Sequence, residues 1–366
     1  MLTHSNGLVQ LTVAQMVTQL SDAFSNLIKA GLSLKRFPSV MLWGPPGVGK
    51  SQGVKQIACE IQRQTGKKVV VTDVRLLLFN PVDLRGIPTA NADKTLAIWL
   101  RPKIFDMDAS ESIVNILFLD EITAAPQSVQ AAAYQITLDR TVGEHRLPDN
   151  CIVIAAGNRV TDRSVAFNMP KALANRLCHL EIKGDAASWH EWAVLSDIHP
   201  FVTGYLDYNS SSLTTFDPAE DNLAFPTPRS WEMVSNILNS VSDDVTQVYP
   251  LIAGCVGTNT AGAFRTWCEI VQHIPPMDQI FGGKRCPPPD RPELLYATVA
   301  AMVDYARKNA AETELGHSVD FACTMPIEFR FRLFNDYYRI RSVRQKLKKN
   351  KTYAQWVTYH EEENDL

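Results

Sequence analysis

The spacing of apolar residues changes near the middle of this chain. The N-terminal half contains short apolar runs without polar alternation, which are Val40–Trp43, Val69–Val71, Ile113–Leu119 and Cys151–Ala156. Such runs are typical of strands in a parallel sheet that is covered by helices on both faces. The pattern therefore predicts an α/β unit over residues 1–184.

A helix is predicted at the start of this unit. Thr12 and Gln15 have the spacing of a capping box, and apolar residues follow at positions 16, 20, 24 and 27. Gly31 then offers a C-terminal stop. We expect an amphipathic helix here.

Beyond residue 184 helical spacing replaces the strand pattern. Helices are predicted at 186–195 and 230–240, and Thr227 with Pro228 has the sequence of a helix N-cap and first turn. This predicts a smaller helical domain over residues 185–260.

The last region, residues 261–366, matches no motif. It is predicted to be mostly helical, with a loop at 275–292 and helices at 294–308 and 327–349. From Arg339 to Lys351 there are seven basic residues and no acidic one. Such a run is either a solvated helix face or a contact for a partner or for nucleic acid.

Composition narrows the class of protein. In 366 residues, 36 Lys and Arg against 39 Asp and Glu give a net charge of −3, so no global positive field recruits nucleic acid or anionic lipid. The seven cysteines form no C-x-x-C pair, which argues against a disulfide scaffold or a zinc site. No stretch approaches 18 apolar residues and no secretion signal is recognisable, so we expect a cytoplasmic protein without a membrane span.

The first candidate site directly follows Val40–Trp43. Eight residues match G-x-x-x-x-G-K-[ST] in full, between a predicted strand and a predicted helix: Gly44, Pro45, Pro46, Gly47, Val48, Gly49, Lys50 and Ser51. Backbone N–H groups of such a loop hold phosphate oxygens, and the helix dipole adds to the attraction. We expect Lys50 to reach the β- and γ-phosphates of a nucleoside triphosphate and Ser51 to ligate Mg²⁺.

Two further strand ends carry polar residues. Asp120 and Glu121 follow one run, where Asp120 would complete the Mg²⁺ site and Glu121 would polarise the attacking water. A solvent-exposed acidic pair at a strand end is the alternative. Asn158 follows the run that ends at Ala156, and its amide can orient water without competing for the metal, although Gly-Asn is also common in turns.

Together these motifs resemble the AAA+ ATPases, and the longer pattern resembles the MoxR-like branch. The likeness covers most of residues 38–260. Besides the loop (Walker A), it rests on Asp120-Glu121 (Walker B), Gly157-Asn158-Arg159 (sensor 1), Lys171–Leu177 and Pro226–Trp231. It implies an AAA+ parallel-sheet αβα core, an α-helical lid, Mg²⁺-dependent hydrolysis of ATP, and a homo-oligomeric ring that is usually hexameric.

By the same resemblance two arginines complete the site. Arg176 matches the arginine finger, which enters the ATP site of the next subunit and makes hydrolysis depend on assembly. Arg229 matches sensor 2 of the lid, where a γ-phosphate would offset the unfavourable position of a cation in a first helical turn. Arg140, Arg159 and Arg163 are rivals for contacts across the subunit interface.

The MoxR-like pattern also implies an insert at residues 80–112, between the second and third core strands. In such rings this insert lies near the central channel or a partner-facing surface. We interpret Trp99 as a core aromatic of the insert rather than as an exposed substrate contact, because large aromatic side chains are mostly buried.

Three functions are compatible with these residues. The leading hypothesis is a ring ATPase that remodels or matures a protein partner, and MoxR-like proteins often act with a von Willebrand A-domain protein. The second is an ATP-driven nucleic-acid motor in which residues 339–351 touch phosphates. The third is a nucleotide-gated assembly module with little turnover, against which the presence of Glu121, Asn158 and Arg176 argues.

Overall fold

The computed structural model describes residues 4–5, 8–159, 169, 174–215, 222–308 and 310–364. The chain forms two compact units, an N-terminal unit of Met1–Gly184 and a C-terminal unit of Asp185–Leu366. In the described residues the N-terminal unit is built on a sheet, whereas the C-terminal unit is helical.

The described part of the N-terminal unit contains eleven strands. In chain order they are β1 (His4–Ser5), β2 (Leu8–Thr12), β3 (Val40–Trp43), β4 (Lys68–Arg75), β5 (Ile87–Ala90), β6 (Ala97–Leu100), β7 (Ile113–Asp120), β8 (Thr141–Val142), β9 (His145–Arg146), β10 (Cys151–Gly157) and β11 (Cys178–Lys183). Seven of them form one sheet in the order β1-β2-β11-β3-β10-β7-β4, and β5-β6 and β8-β9 form separate antiparallel pairs. Only the β1–β2 pair of the large sheet is antiparallel.

Helices cover both faces of this sheet. They are α1 (Val13–Lys29), α2 (Lys50–Thr65), α3 (Pro81–Arg85) and α4 (Gln127–Asp139). The helices α1 and α2 share one apolar core with one face of the sheet, and α4 packs into a second core on the other face. Strand β10 is buried along its whole length, which explains why its sequence lacks polar alternation. The predicted αβα architecture is confirmed.

The N-terminal helix begins as its capping residues predict. The backbone N–H of Gln15 donates to the Thr12 hydroxyl at 3.2 Å, and the Gln15 side chain accepts from the Thr12 N–H at 3.0 Å. The apolar face of α1 packs against α2, where a Cβ at Gly53 would lie 2.3 Å from the tip of Met16. This close approach packs α1 tightly against α2, the helix that directly follows the loop after β3.

The C-terminal unit is confirmed as helical over its described residues. Its helices are α5 (Ala186–Leu195), α6 (Pro200–Tyr208), α7 (Pro228–Ser240), α8 (Val245–Val256), α9 (Thr258–Val271), α10 (Met277–Phe281), α11 (Pro292–Arg307), α12 (Glu312–Ala322), α13 (Ile327–Arg339), α14 (Arg341–Leu347) and α15 (Lys351–Asn364). They enclose two apolar cores, one around Trp231 and Phe264 and one around Phe334 and Tyr337. None of the described helices combines the length and apolar character that a bilayer crossing needs.

Two details of this unit differ from the sequence prediction. The expected loop at 275–292 contains the short helix α10, and the expected helix at 327–349 is broken at Ile340 into α13 and α14. Ile340 is extended, with φ −81° and ψ 103°, and its side chain is buried. Because Ile340 continues the apolar spacing, the sequence pattern does not reveal the break.

Candidate functional site

The loop between β3 and α2 needs glycine at three positions. Gly47 and Gly49 have positive φ angles of 76° and 104°, a region that side-chain-bearing residues rarely occupy. At Gly44 a Cβ would lie 2.6 Å from the backbone oxygen of Ile182 on β11. The loop therefore turns tightly beside the sheet and delivers its N–H groups to the start of α2.

Lys50, the first residue of α2, joins this loop to the end of β10. Its side chain is buried, with 8% exposed, and Nζ donates to the backbone oxygens of Gly44 at 2.6 Å and Pro45 at 3.0 Å. It also donates to Asn158 Oδ1 at 3.0 Å. Since an ammonium group only donates, the oxygen of the Asn158 amide faces Lys50 and its NH₂ group keeps its donors.

Ser51 lies beside the carboxylate at the end of β7. Its hydroxyl donates to Asp120 Oδ2 at 2.8 Å. The two residues that the sequence assigned to Mg²⁺ are 69 positions apart along the chain, and the fold brings their oxygen atoms together. Hydroxyl and carboxylate oxygens suit a hard cation such as Mg²⁺.

Glu121 has an unusual backbone. Its φ of 58° is in the left-handed region, and its N–H donates to Asp120 Oδ1 at 2.9 Å. A non-glycine residue in this conformation costs on the order of 1 kcal/mol and is often found at functional sites. In the part of the chain that the structure describes, the Glu121 carboxylate has no hydrogen-bond or ion-pair partner, so its oxygens are available to a ligand or to water.

Thr123, which sequence reasoning missed, fixes the position of Asn158. Its hydroxyl accepts from the Asn158 N–H and donates to the Asn158 backbone oxygen, both at 3.1 Å. A Cβ on Gly157 would lie 2.6 Å from this hydroxyl, so only glycine fits there. Thr123 is three residues after Asp120, and the only signal in the sequence was this hydroxyl residue so close to the acidic pair.

A third carboxylate, also missed, lies on the neighbouring strand. Asp73 belongs to β4, whose Arg75 pairs in register with Asp120 on β7. Partial burial raises the pKa of Asp73, and the charge of Asp120 raises it further. The acidic character of this sheet edge is therefore larger than the Asp120-Glu121 pair alone suggests.

The three arginines named as rivals for an interface have different surroundings. Arg140 is buried and donates to the backbone oxygens of Cys151 and Phe37, both at 3.1 Å, so it braces the N-terminal unit and is wrongly placed among interface candidates. Arg159 forms an ion pair with the buried carboxylate of Glu181 on β11. Arg163 lies outside the described residues.

Arg176 lies in a turn just before β11, and its side chain is exposed. The turn is tied to the phosphate loop by His179, whose Nε2 donates to the Ala174 oxygen at 2.7 Å. The other ring nitrogen of His179 accepts from Trp43 Nε1 at 2.8 Å, and Trp43 directly precedes Gly44. The connection spans 136 positions, so no local sequence pattern could have indicated it. Within the motif that contains Arg176, residues 171–173 lie outside the described part.

Arg229 belongs to the C-terminal unit and lies in the first turn of α7, where its side chain is exposed. The helix start is as predicted. Ser230 N–H donates to the Thr227 hydroxyl at 3.0 Å, Thr227 N–H donates back to Ser230 at 2.7 Å, and Pro228 occupies the first turn.

Trp99 does not have the predicted environment. It is half-buried in the β5–β6 hairpin, and its backbone oxygen accepts from His145 Nε2 at 2.8 Å. Neither apolar core of the N-terminal unit contains it. The expectation of a core aromatic is wrong, because a two-stranded hairpin has no second layer to enclose a large ring.

Comparison with known proteins finds a family model that matches the segment carrying this arrangement. Residues 40–179 match the family model described as ATPase family associated with various cellular activities (AAA). This segment is similar to the AAA ATPase domains that the model describes. The match begins at β3, includes the phosphate loop, Asp120, Glu121, Asn158 and Arg176, and ends within β11. No curated protein matches the chain.

Several solved structures are distantly similar to the chain. Caenorhabditis elegans PCH-2 is 14% identical, with 72% of this chain and 68% of that chain covered and a TM-score of 0.37. For a point mutant of Thermotoga maritima RuvB the identity is 14%, the coverages are 80% and 84%, and the TM-score is 0.35. For the HORMA:CdnC:Trip13 complex of Escherichia coli MS115-1 the identity is 15%, 69% of this chain and 88% of that chain are covered, and the TM-score is 0.39. At such low TM-scores these similarities support no argument about function.

Proposed function

We propose that residues 40–179 form an AAA ATPase domain, which binds ATP with Mg²⁺ at residues 44–51 and hydrolyses it. The observation that carries this proposal is the 2.8 Å hydrogen bond between Ser51 and Asp120, beside a glutamate whose carboxylate has no partner among the described residues. It joins the loop, which can hold phosphates, to the strand end, which can activate water.

The residues present fit a magnesium ion. Mg²⁺ in nucleotide sites commonly has one or two protein ligands, while phosphate oxygens and water complete its coordination. Within the described ranges no group of three or more His, Cys, Asp and Glu side chains is placed to hold a metal, so the ion would be held by Ser51 and Asp120. When bound, Mg²⁺ neutralises negative charge that develops on the transferred phosphoryl group.

The remaining roles belong to side chains of this chain. Lys50 places a buried positive charge where the loop would hold the β- and γ-phosphates. The Glu121 carboxylate accepts a proton from the attacking water, and the NH₂ group of Asn158 orients that water or a γ-phosphate oxygen. Thr123 keeps Asn158 in position for this task.

Glu121→Gln tests the assignment of the base. The variant keeps the shape of the side chain and loses its basicity, so we expect ATP affinity within about threefold of wild type and turnover reduced at least about a hundredfold. The measurements are a fluorescent-nucleotide titration and steady-state phosphate release. Wild-type turnover in this variant would contradict the role of Glu121.

We further propose that the chain works as a homo-oligomeric ring in which Arg176 reaches the ATP site of the next subunit, as its resemblance to an arginine finger implies. Two observations support this: Arg176 is exposed, and the turn that carries it is anchored to the phosphate loop by His179 and Trp43. In this proposal residues 185–260 are the lid, Arg229 is its sensor 2, and residues 261–366 are an extension.

Arg176→Ala separates this proposal from a role in the subunit's own site. Because the guanidinium would act in trans, we expect nucleotide binding to be retained while hydrolysis in the assembled form falls at least about a hundredfold. Mixing Arg176→Ala subunits with Lys50→Ala subunits should restore part of the activity, since each supplies what the other lacks. Loss of nucleotide binding by the isolated Arg176→Ala subunit would place Arg176 in its own site instead.

The proposed task of the ring is to remodel or mature a protein partner, which for the MoxR-like branch is often a von Willebrand A-domain protein. The alternative of a nucleic-acid motor has little support from the basic run at 339–351. Three of its cations are already engaged: Arg339 pairs with Glu191 at 2.7 Å, Arg344 lies over the Tyr338 ring, and Lys346 donates to the Ala310 oxygen. ATP hydrolysis that DNA stimulates, with a stimulation that decreases as salt is added, would instead support the nucleic-acid motor.

A further inference from the structure

The segment between β7 and α4 contains the residue of the candidate site whose backbone is strained. Glu121 begins this segment with a φ of 58°, and the chain turns at once, since the Ala124 N–H donates to the Glu121 backbone oxygen at 3.0 Å. We call residues 121–126 the glutamate turn. A non-glycine residue keeps such a conformation only where the surrounding structure holds it there, so the contacts of this turn need to be identified.

One side of the glutamate turn is held at the end of β10. The Ile122 N–H donates to the Ala156 backbone oxygen at 3.0 Å, and the Thr123 hydroxyl bonds to the backbone of Asn158. The side chains of Ile122 and Ala125 are fully buried in the apolar core that α4 covers. These contacts leave the backbone oxygens of Thr123 and Ala125 to be satisfied from another element.

Gln130 of α4 satisfies both of these oxygens. Its side chain is 3% exposed, and Nε2 donates to the Ala125 oxygen at 2.9 Å and to the Thr123 oxygen at 3.3 Å. The amide nitrogen carries two N–H groups, so each backbone oxygen receives one. Because a backbone oxygen only accepts, the NH₂ group must face the turn, and Oε1 is left as the acceptor for another partner.

Tyr134 supplies that partner. It lies one helical turn after Gln130, and its hydroxyl donates to Gln130 Oε1 at 2.9 Å. Burial raises the pKa of the Tyr134 phenol to about 12, so the hydroxyl keeps its proton and remains a donor near neutral pH. A reversed amide would set its oxygen against two backbone oxygens, so the observed orientation is the one that satisfies the turn.

We propose that Gln130 is a positioning residue for the Glu121 carboxylate, and that Tyr134 holds Gln130 in the orientation that this task requires. Neither side chain touches the nucleotide. Gln130 fixes the course of the turn that begins at Glu121, and thereby the direction in which the carboxylate leaves the backbone. The inference rests on the proposed function, in which Glu121 accepts a proton from the attacking water.

A purely structural role for Gln130 is the alternative, because buried polar side chains are usually hydrogen-bonded. Two observations favour positioning. The amide bonds to the short turn that carries the strained residue, and not to the ladder of a helix or a sheet. The same turn bonds through Thr123 to Asn158, so a displacement of the turn would move both groups that are proposed to handle the water.

Gln130→Met tests the inference in the full chain, since methionine fills a similar space but cannot donate these hydrogen bonds. We expect ATP affinity within about threefold of wild type in fluorescent-nucleotide titrations, and phosphate release reduced at least about tenfold. Gln127→Met, at an exposed glutamine of the same helix, is the matched control and should change neither measurement. Wild-type turnover in Gln130→Met would overturn the proposal.

Tyr134→Phe makes a smaller change and keeps the proposal testable if Gln130→Met does not fold. It removes one hydroxyl and keeps the aromatic ring, so we expect a folded protein with unchanged ATP affinity and turnover reduced about threefold. Turnover equal to that of wild type would overturn the role given to Tyr134.

A cycle with Glu121→Gln separates positioning from structural support. If Gln130 acts through the Glu121 carboxylate, adding Gln130→Met to Glu121→Gln should reduce the remaining turnover by no more than about twofold. A further tenfold loss would show that Gln130 acts in another way. Wild-type turnover of Glu121→Gln would overturn the proposed function and this inference together, whereas loss of turnover in Glu121→Gln with none in Gln130→Met would overturn this inference alone.

Hydrogen–deuterium exchange without nucleotide tests the hold on the turn without any measurement of activity. In Gln130→Met, peptides that cover residues 121–126 should exchange at least about tenfold faster than in wild type, while peptides from α2 should be unchanged. Unchanged exchange in the glutamate turn would show that Gln130 does not hold it and would overturn the proposal.

Discussion

The chain contains two clusters of largely buried or partly buried polar side chains, one in each unit, and their hydrogen-bonding groups are satisfied to different degrees. In the N-terminal unit, Lys50 bonds to Asn158 and Ser51 bonds to Asp120, while the carboxylate of Glu121 beside them has no partner among the described residues and the Glu121 backbone has a positive φ. In the C-terminal unit, His190 lies between two carboxylates. Its Nδ1 is 2.8 Å from Asp207 and its Nε2 is 2.9 Å from Asp336.

The second cluster uses both nitrogens of its histidine. Burial alone would lower the pKa of His190, but the hydrogen bonds to Asp207 and Asp336 outweigh that effect and raise the pKa to about 9. Arg332 also pairs with Asp207, and Arg339 is 3.7 Å from Asp336. A histidine that holds its proton between two carboxylates is a poor acid or base near neutral pH, so we expect this cluster to act in helix packing rather than in chemistry.

The comparison teaches how a site can be distinguished from a structural ion cluster. Both clusters are at least partly buried and charged, so burial and charge do not separate them. The N-terminal cluster keeps unused donors and acceptors and a strained residue, which a ligand can exploit. We expect changes in the first cluster to affect nucleotide binding and changes in the second to affect stability.

The largest expected effect is on stability. Asp336→Ala removes a carboxylate that is 2% exposed and leaves His190 with one carboxylate fewer, which should destabilise the C-terminal unit by about 3–5 kcal/mol. Urea unfolding followed by tryptophan fluorescence measures this, with the exposed Asp320→Ala as the control. Unchanged stability of Asp336→Ala would show that the cluster contributes nothing, and loss of nucleotide binding in the folded variant would break the comparison.

The pH dependence of stability should reveal the same cluster. Because the pKa of His190 is raised from 6.5 to about 9 on folding, the unfolded state loses its proton first as pH rises. Stability that is fully present below pH 6.5 should therefore fall by about 3 kcal/mol between pH 6.5 and 9. In His190→Gln the free energy of unfolding should depend much less on pH between 6.5 and 9. The same pH dependence in the variant as in wild type would show that another group causes it.

A second histidine of the same unit should make stability fall at low pH rather than at high pH. Burial lowers the pKa of His199 to about 4, against the opposing charges of Asp304 and other nearby carboxylates. The unfolded state binds this proton at a higher pH than the native state does, so stability should fall as pH decreases from 6.5 towards 4. Together the two histidines predict a stability maximum near pH 6.5.

In the first cluster, Lys50→Ala should act on the ligand. Loss of a buried, charge-assisted contact to phosphate should weaken nucleotide binding at least about a hundredfold, or about 2.7 kcal/mol. The unfolding free energy should change much less. Lys55→Ala, an exposed lysine of the same helix, is the matched control for fluorescent-nucleotide titration. Equal binding by both variants would refute the phosphate site.

The sequence predicted the local parts of this structure well. Strand β3 has the predicted bounds, the capping box at Thr12 forms as its spacing indicates, and Thr227 is the predicted N-cap before Pro228. These features depend on residues a few positions apart, where backbone preferences decide the outcome. The phosphate loop belongs to the same class, since one segment contains its glycines, its lysine and its serine.

The connections between distant segments were not predictable from sequence. Thr123 bonds to Asn158, Trp43 to His179, and Arg140 to Phe37, and each pair is brought together only by strand order. The break in the helix at Ile340 was not predicted for a different reason. A buried isoleucine satisfies the apolar pattern of a continuous helix whether its backbone is helical or extended.

The contact between Thr123 and Gly157 limits where the nucleotide site can adapt. A hydroxyl that both donates to and accepts from one residue, against a glycine with no space for a side chain, ties the ends of β7 and β10 together. The spacing between Asp120 and Asn158 is then fixed by packing. Adjustment between a triphosphate and a diphosphate must come from Lys50 and the loop, so spectroscopic probes placed there should report the nucleotide state while probes on the strands remain silent.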